Sequence, residues 1–465
     1  MSSRKNGVRK QDAAISAQAQ QDLAQVYGSI MARNPEHDFD PTLDRVRDVC
    51  DLLGNPQQAY RSIHITGTNG KTSTARMIES LVGQYGLRTG RFTSPHLSSV
   101  TERIAIDGEP ISAERFVEVY RDIEPYIDMV DAKSVEQGQP RLSFFEVLTV
   151  MAFAAFADAP VDVAIIEVGM GGSWDSTNVI DADISVITPI SLDHQAWLGD
   201  NVRDIAIEKS GIIKQDKIAI TSVQDEEALE ALSDAAGEKQ ARLIVEGTDI
   251  EVASRLFAVG GQLVGLRTPA ALYDEIYLPL FGEHQAHNAL LALTAVEMLI
   301  AGGGALSGEL VEQGFAAVTS PGRLEIVRSS PTIIVDAAHN GAGAQALAKT
   351  IEDEFQFARL IGVVAILGDK DAETVLSFLE PILAEIVVTQ SSSVRSTDVS
   401  ELEELAIEIF GEDRVFAADE LADAIDIAAT RAESEDEIGV GTGTGVLVAG
   451  SVILAAEART LLGRG

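Results

Sequence analysis

Residues 63–72, Ile-His-Ile-Thr-Gly-Thr-Asn-Gly-Lys-Thr, join a short apolar run to a glycine-rich turn, and the pattern after them is helical through Val82. Gly67 and Gly70 let backbone N–H groups approach a polyphosphate, the start of a helix aims further N–H groups at it, and Lys71 adds a mobile cation. ATP is the expected guest, held by Gly67, Thr68, Asn69, Gly70, Lys71 and Thr72, although an ordinary strand-to-helix turn can carry the same Gly-Lys-Thr. The common phosphate loop has a glycine five places before Gly70; here that place is Ile65, so the loop is a shorter form. A nucleoside triphosphate needs divalent metal, and Mg²⁺ prefers hard oxygen ligands while keeping some of its waters. Glu167, at the end of the apolar run from Val161, is the best carboxylate for it. Gly169, Gly171 and Gly172 follow and permit close backbone approach to a ligand, or form a flexible loop beside a strand.

Three further positions gain meaning only in company. His194 sits in a loop, and Lys209 follows a helical pattern and precedes Gly211, where a solvated side chain is an equal reading. Asp336-Ala337-Ala338-His339-Asn340 ends another apolar run with an acid, a base and an amide; capping by Asp336 or Asn340 is the alternative. Arg323, just past Pro321-Gly322, could clamp a phosphate bidentately or be a surface arginine.

Strands and helices must bring these residues together. Residues 1–21 carry Arg4, Lys5, Arg9 and Lys10 among small polar residues and read as a loose tail. From Asp22 to Leu53 helical spacing flanks the polar segment 33–38, which predicts two helices around a loop. Strands are expected at 89–93, 161–167 and 184–187, helices at 112–130 and 144–157, and an antiparallel patch between Ile250 and Leu280. The run 161–167 is almost wholly apolar, as in parallel sheets covered on both faces. A break near Thr319–Gly322 would open a second series of strands at 333–336, 363–367, 386–388 and 446–449, with Glu433–Glu437 a solvated loop. The expected architecture is α/β: residues 22–319 form a phosphate-loop ATPase domain with a mostly parallel doubly wound sheet, and residues 320–465 a smaller Rossmann-like α/β domain.

The chain has 465 residues, a formal net charge of −37 and a pI near 4.4. Such an acidic chain is a poor partner for nucleic acid or an anionic membrane. The single cysteine, Cys50, cannot form an internal disulfide, and neither a secretory core nor a long apolar span appears. A cytoplasmic monomer is the simplest expectation.

Taken together, the motifs are similar to those of the folylpolyglutamate synthase/dihydrofolate synthase family, within the wider group of Mur-type ATP-dependent amide ligases. The resemblance runs from about Asp40 to the C-terminus. Its specific pieces are 66–72, Thr93-Ser94-Pro95-His96-Leu97, Leu142-Ser143-Phe144-Phe145-Glu146, 167–178, 194–199, Glu208-Lys209-Ser210-Gly211-Ile212, 321–323, and 336–340 with Asp369-Lys370-Asp371. It implies a two-domain Mur-ligase-like fold in which Thr68 to Lys71 hold ATP phosphates and Ser94, Glu167 and His194 bind two magnesium ions. Lys209 matches the lysine carbamylated in this group; CO₂ addition makes a carboxylate of it that can help hold the second metal. Asn288, with Arg323 and Asp336, matches the nucleotide contacts. The pterin side is implied around Arg33 to Glu36, at Ser143, Phe144, Phe145 and Glu146, and at Trp174, Asp175 and Ser176. Two residues depart from the family pattern: Ser173 stands where an arginine is usual, and Gly341 where a proline is usual. The first removes a cation near the implied pterin site.

The implied reaction joins L-glutamate to dihydropteroate, or to the γ-carboxyl of a reduced folate. The acceptor carboxylate attacks the γ-phosphate of ATP, and the amine of glutamate then displaces phosphate from the acyl phosphate. Lys71 would neutralise charge in the first step. His339 would accept the ammonium proton or bind the glutamate carboxylate, and Arg395 is a cation for the same end. The rivals are a ligase of UDP-linked peptidoglycan precursors and a phosphate-loop ATPase or regulatory protein that ligates nothing.

Overall fold

The computed structural model describes residues 2–34, 41–433 and 443–464, with side chains from residue 17 onward. Eight strands pair into one sheet: Arg61–Thr66 (β1), Thr89–Phe92 (β2), Ile104–Ile106 (β3), Glu109–Pro110 (β4), Val163–Glu167 (β5), Ile184–Ile187 (β6), Ile218–Thr221 (β7) and Arg242–Val245 (β8). Their order is β4-β3-β2-β5-β1-β6-β7-β8. The strands from β2 to β8 are parallel, and β3 and β4 add an antiparallel edge. All of β5 is buried, as its unbroken apolar run predicts for a sheet covered on both faces.

This topology gathers the candidate segments. Because β2, β5, β1 and β6 are parallel neighbours, the turns after them, which carry Ser94, Gly169–Asp175, Gly67–Gly70 and His194, leave the same edge of the sheet. On one side of β1 lie β5 and β2, on the other β6 to β8, so the phosphate loop springs from the switch point where open α/β sheets collect ligands.

Helices cover the sheet. The helix Phe144–Asp158 starts in a reciprocal capping box, with Ser143 accepting from Glu146 N and the Glu146 side chain accepting from Ser143 N, an arrangement worth about 1 kcal/mol over an uncapped start. The helix expected at 112–130 runs on to Glu136. The segment expected as a loose tail is instead helical, within one helix Ser2–Met31. Its Ala19, Leu23, Val26 and Ile30 recur at steps of three and four and join the core with Phe116, Tyr120 and Ile123. Of the polar loop after it, Arg33 and Asn34 are described; Pro35, Glu36, His37 and Asp38 lie outside the described residues, as do Ser434–Glu437 of the expected acidic loop.

The stretch expected as an antiparallel patch forms a three-stranded sheet, β11-β10-β9, from Glu251–Ala258 (β9), Gly261–Arg267 (β10) and Leu272–Leu278 (β11). A six-stranded sheet follows, in the order β12-β13-β17-β14-β15-β16. It is built from Glu325–Ser329 (β12), Thr332–Val335 (β13), Arg359–Val364 (β14), Glu385–Val388 (β15), Val415–Ala417 (β16) and Thr444–Ala449 (β17). All but the edge strand β12 are parallel. The chain forms two compact units: Met1–Glu251 with Thr268–Ala271 and Leu291–Gly314, and Val252–Arg267 with Leu272–Leu290 and Phe315–Gly465. No helix among the described residues is long and apolar enough to cross a membrane.

Candidate active site

The phosphate loop is shaped for an anion. Gly67 lies at φ +141°, and a Cβ there would fall 1.9 Å from Thr188 Oγ1 and 2.9 Å from the Thr188 carbonyl oxygen, so no side chain fits. Gly70, at φ +90°, precedes the helix Lys71–Gly83 and gives it no side-chain cap, which leaves the first-turn N–H groups to a ligand. Thr68 is pinned from behind: its N donates to Pro189 O at 2.9 Å, and its Oγ1 exchanges bonds with Ser191 O and N at 3.0 Å each. Lys71 Nζ folds back onto the carbonyls of Gly67 and Thr68, at 3.0 Å each.

Beside the loop, Thr72 Oγ1 lies 3.0 and 2.9 Å from the two oxygens of Glu167, a carboxylate that is 1% exposed. A hydroxyl in the first turn of the helix Lys71–Gly83, face to face with the carboxylate that ends β5, offers the hard oxygens that suit Mg²⁺. Thr72 was expected only as a phosphate contact; its hydroxyl also faces the buried Glu167 carboxylate. Ser94 follows β2 on the same edge, half-buried, and His194 precedes the short helix Gln195–Leu198 at φ +51° with an exposed side chain. Among the described residues, no three His, Cys, Asp or Glu side chains form a ready-made metal cluster.

Lys209 is far from the solvated side chain that its local sequence allowed. It is 4% exposed, its Nζ donates to Gly67 O at 3.0 Å, and burial together with the Lys71 charge pushes its pKa down to about 7. The amine that neighbours the phosphate loop is therefore about half neutral near pH 7, and a neutral amine is the nucleophile that adds CO₂.

The segment Gly169–Asn178 closes the other side. A Cβ on Gly169 would meet the Phe145 ring at 2.5 Å. Phe145 and Trp174 are half-buried, whereas Ser143, Phe144, Glu146, Asp175 and Ser176 are buried. The polar ones are engaged internally. Glu146 pairs with Arg45 at 3.0 Å, Ser176 Oγ meets Thr149 Oγ1 at 2.7 Å, and Asp175 accepts from Met170 N at 2.9 Å and from Thr177 N at 3.0 Å. Burial raises the Asp175 pKa. Behind Asp175, Thr177 Oγ1 donates to Asp175 and lies 2.8 Å from Nε2 of His64, a fully buried residue of β1. With its proton given to Asp175, the hydroxyl accepts from His64 Nε2–H. These side chains brace the wall, and the ring faces of Phe145 and Trp174 are what it can offer to a flat ligand. Arg33 joins the bracing through Asp131 at 2.8 Å, and Asn34 O accepts from Phe144 N at 2.9 Å.

In the second unit Asp336, after β13, accepts from Leu324 N and Ala338 N at 2.8 Å each, and burial raises its pKa against the pull of Arg323. Asn340 caps the helix Gly341–Glu354. Asn340 thus fills the capping role that the sequence offered as the alternative, whereas Asp336 holds two loop amides and caps no helix. His339 Nδ1 sits 2.9 Å from Ala337 O. Asn288 Nδ2 donates to Gln285 Oε1 at 3.1 Å, and Arg323 reaches its neighbour Gly322 O at 3.1 Å. Arg395, on the loop after β15, pairs with Asp369 of the loop after β14 at 3.6 Å.

The Mur ligase middle domain matches residues 65–296, and the Mur ligase glutamate ligase domain matches residues 322–452. A dihydrofolate synthase/folylpolyglutamate synthase of Mycobacterium tuberculosis is 50% identical over 458 residues, which cover 95% of this chain and 94% of that protein. The solved structure of Mycobacterium tuberculosis folylpolyglutamate synthase complexed with ADP superposes with a TM-score of 0.92 at 50% identity, covering 96% of this chain and 99% of that one. Escherichia coli FolC in complex with DHPP and ADP gives a TM-score of 0.81 at 29% identity, covering 95% and 97%.

Proposed function

Because the chain belongs to the dihydrofolate synthase/folylpolyglutamate synthase family of Mur-type ligases, we propose that it joins L-glutamate to dihydropteroate, to reduced folates, or to both, at the cost of ATP. It is an ATP-dependent acid–amino-acid ligase. The observation that supports a ligase over a plain ATPase is Lys209: a buried amine bonded to Gly67 O of the phosphate loop, with its pKa pushed down to about 7, is placed to add CO₂.

The reaction follows from what a carboxylate lacks. It is a poor electrophile, so one acceptor oxygen first attacks the γ-phosphorus of ATP, the bond to the β,γ-bridging oxygen breaks, and ADP leaves. The glutamate nitrogen then attacks the acyl carbon, phosphate departs, and the ammonium protons pass to a base. The chain's part is to position and neutralise. Gly67–Gly70 and the uncapped helix start hold the phosphates, and Lys71 turns from Gly67 O and Thr68 O toward the transferring group. Thr72 and Glu167 are the residues proposed to hold Mg²⁺, with Ser94 and His194 joining from the same edge; the ion would screen the phosphate charge. A second ion would use Lys209 once its neutral nitrogen has bonded to CO₂ and released a proton. Phe145 and Trp174 are proposed to contact the pterin. Asn288, Arg323 and Asp336 are assigned to the nucleotide, and His339 and Arg395 to the glutamate.

The test is ADP release with dihydropteroate and with tetrahydrofolate, each with and without glutamate, and mass spectrometry of the products. Each competent acceptor is expected to gain one or more glutamyl masses. ADP release that needs neither a folate nor glutamate would overturn the reading.

A further inference from the structure

Three successive backbone N–H groups of the first unit converge on one carboxylate oxygen. Glu208 Oε1 accepts from Gly172 N at 3.3 Å, Ser173 N at 2.9 Å and Trp174 N at 3.4 Å. Such a run of amides makes an anion-binding concavity, and here the chain's own carboxylate fills it. The seat is close: a Cβ on Gly172 would lie 2.7 Å from the carbonyl oxygens of both Glu208 and Lys209, and one on Gly211 would lie 2.1 Å from Ser173 Oγ. Ser173 N and Oγ both donate to Glu208 O at 3.0 Å. Asn178 Nδ2 ties Ser173 O to Gly211 O, at 3.0 Å each. The turn so fastened carries Lys209, whose amine is bonded to Gly67.

We infer that Glu208 is a positioning residue whose carboxylate latches the glycine-rich loop after β5 onto the helix Val202–Ser210, which carries Lys209, and so sets the pterin wall, while the separate bond from Lys209 to Gly67 O holds the phosphate loop. A loop containing Gly171 and Gly172 loses much backbone freedom when it is ordered. Bonds to an ionised acceptor, stronger than neutral ones, offset that loss. Ser173 is part of the device: its short side chain passes over Gly211 and reaches the Glu208 carbonyl.

The exchange half of the test is independent of the folate-ligase reading, and the kinetic half rests on it. In Glu208→Ala, hydrogen–deuterium exchange at residues 172–174 is expected to rise by roughly tenfold or more, with the helix Lys71–Gly83 unchanged. Glu208→Gln, which keeps an acceptor oxygen, should restore most of the protection. In turnover, Glu208→Ala should raise KM for the folate acceptor by about tenfold with KM for ATP within about twofold, and Glu208→Gln should recover the acceptor KM. Unchanged exchange overturns the latch whatever the activity. Faster exchange with no KM change, or with equal changes for acceptor and ATP, overturns the positioning role. If Glu208→Ala does not fold, Glu208→Asp, whose arm is too short to meet three amides, decides by the same two readouts. Wild-type protein that turns over no folate counts against the function proposed above, and the exchange result still judges the latch.

Discussion

Glu167→Gln is expected to cut ADP release by about a thousandfold while shifting the unfolding free energy by only about 1 kcal/mol. The asymmetry comes from what the substitution keeps. Glutamine has the same volume, and its amide oxygen can still accept from Thr72 Oγ1, so the packing at the ends of β1 and β5 survives. The lost charge is the one that would bind a divalent ion beside the phosphates, where electrostatic stabilisation of a transferring phosphoryl group is worth most. Steady-state ADP release and calorimetric unfolding check the two halves. Turnover within about tenfold of wild type would remove Glu167 from the site.

Lys209→Ala should lose about a hundredfold or more in turnover, and a short carboxylic acid in the buffer should restore part of it. At pH 7 an ordinary lysine is neutral about 0.03% of the time, whereas this one, with its pKa pushed down to about 7, is neutral about half the time. The fraction able to add CO₂ is thus raised by three orders of magnitude, about the ratio expected from the pKa difference. Alanine leaves room for acetate to supply the missing carboxylate. Lys209→Met fills that room with an apolar stem and should show the same loss without rescue, which separates the chemical role from the space. Protein equilibrated with ¹³C-labelled bicarbonate should show a carbamate carbon resonance that is absent from Lys209→Ala; its absence from the wild type would sink the carbamate.

Much of this was legible before the fold was known, for identifiable reasons. The apolar runs ending at Thr66, Glu167 and Ile187 are each about as long as one buried strand, and a parallel sheet delivers the residues after such strands to one edge. Gly67, which tolerates no Cβ, stands in the turn that the sequence singled out. What the sequence hid lies in contacts between segments. A solvated Lys209 was an equal reading on local grounds because its partner, the Gly67 carbonyl, is 142 residues away. Glu208 was part of a motif without a role, since the amides that it gathers come from a loop more than thirty residues earlier. Ser143 and Glu146 read as ligand contacts, and the structure spends them on a helix cap and on Arg45. Most of the Ser2–Met31 helix was missed because apolar residues are sparse before Ala13, where the tail is polar and basic.

The buried histidines set how the fold responds to acid. His64 is sealed in β1, with burial and the Lys214 charge holding its pKa well below the usual value, and burial with Arg323 holds His284 down to about 4. The unfolded chain takes up a proton at each near pH 6.5, while the native chain refuses it. The contribution of the two histidines is therefore full above that pH and falls as pH drops below it, by up to about 1.4 kcal/mol per pH unit for each. Urea midpoints measured near pH 7 and near pH 5 should show the drop, and replacing His284 with an uncharged residue of similar size should lessen it, leaving the part due to His64. The fold thus acts as a proton barrier, destabilised by mild acidification well before most of its 72 aspartates and glutamates begin to titrate.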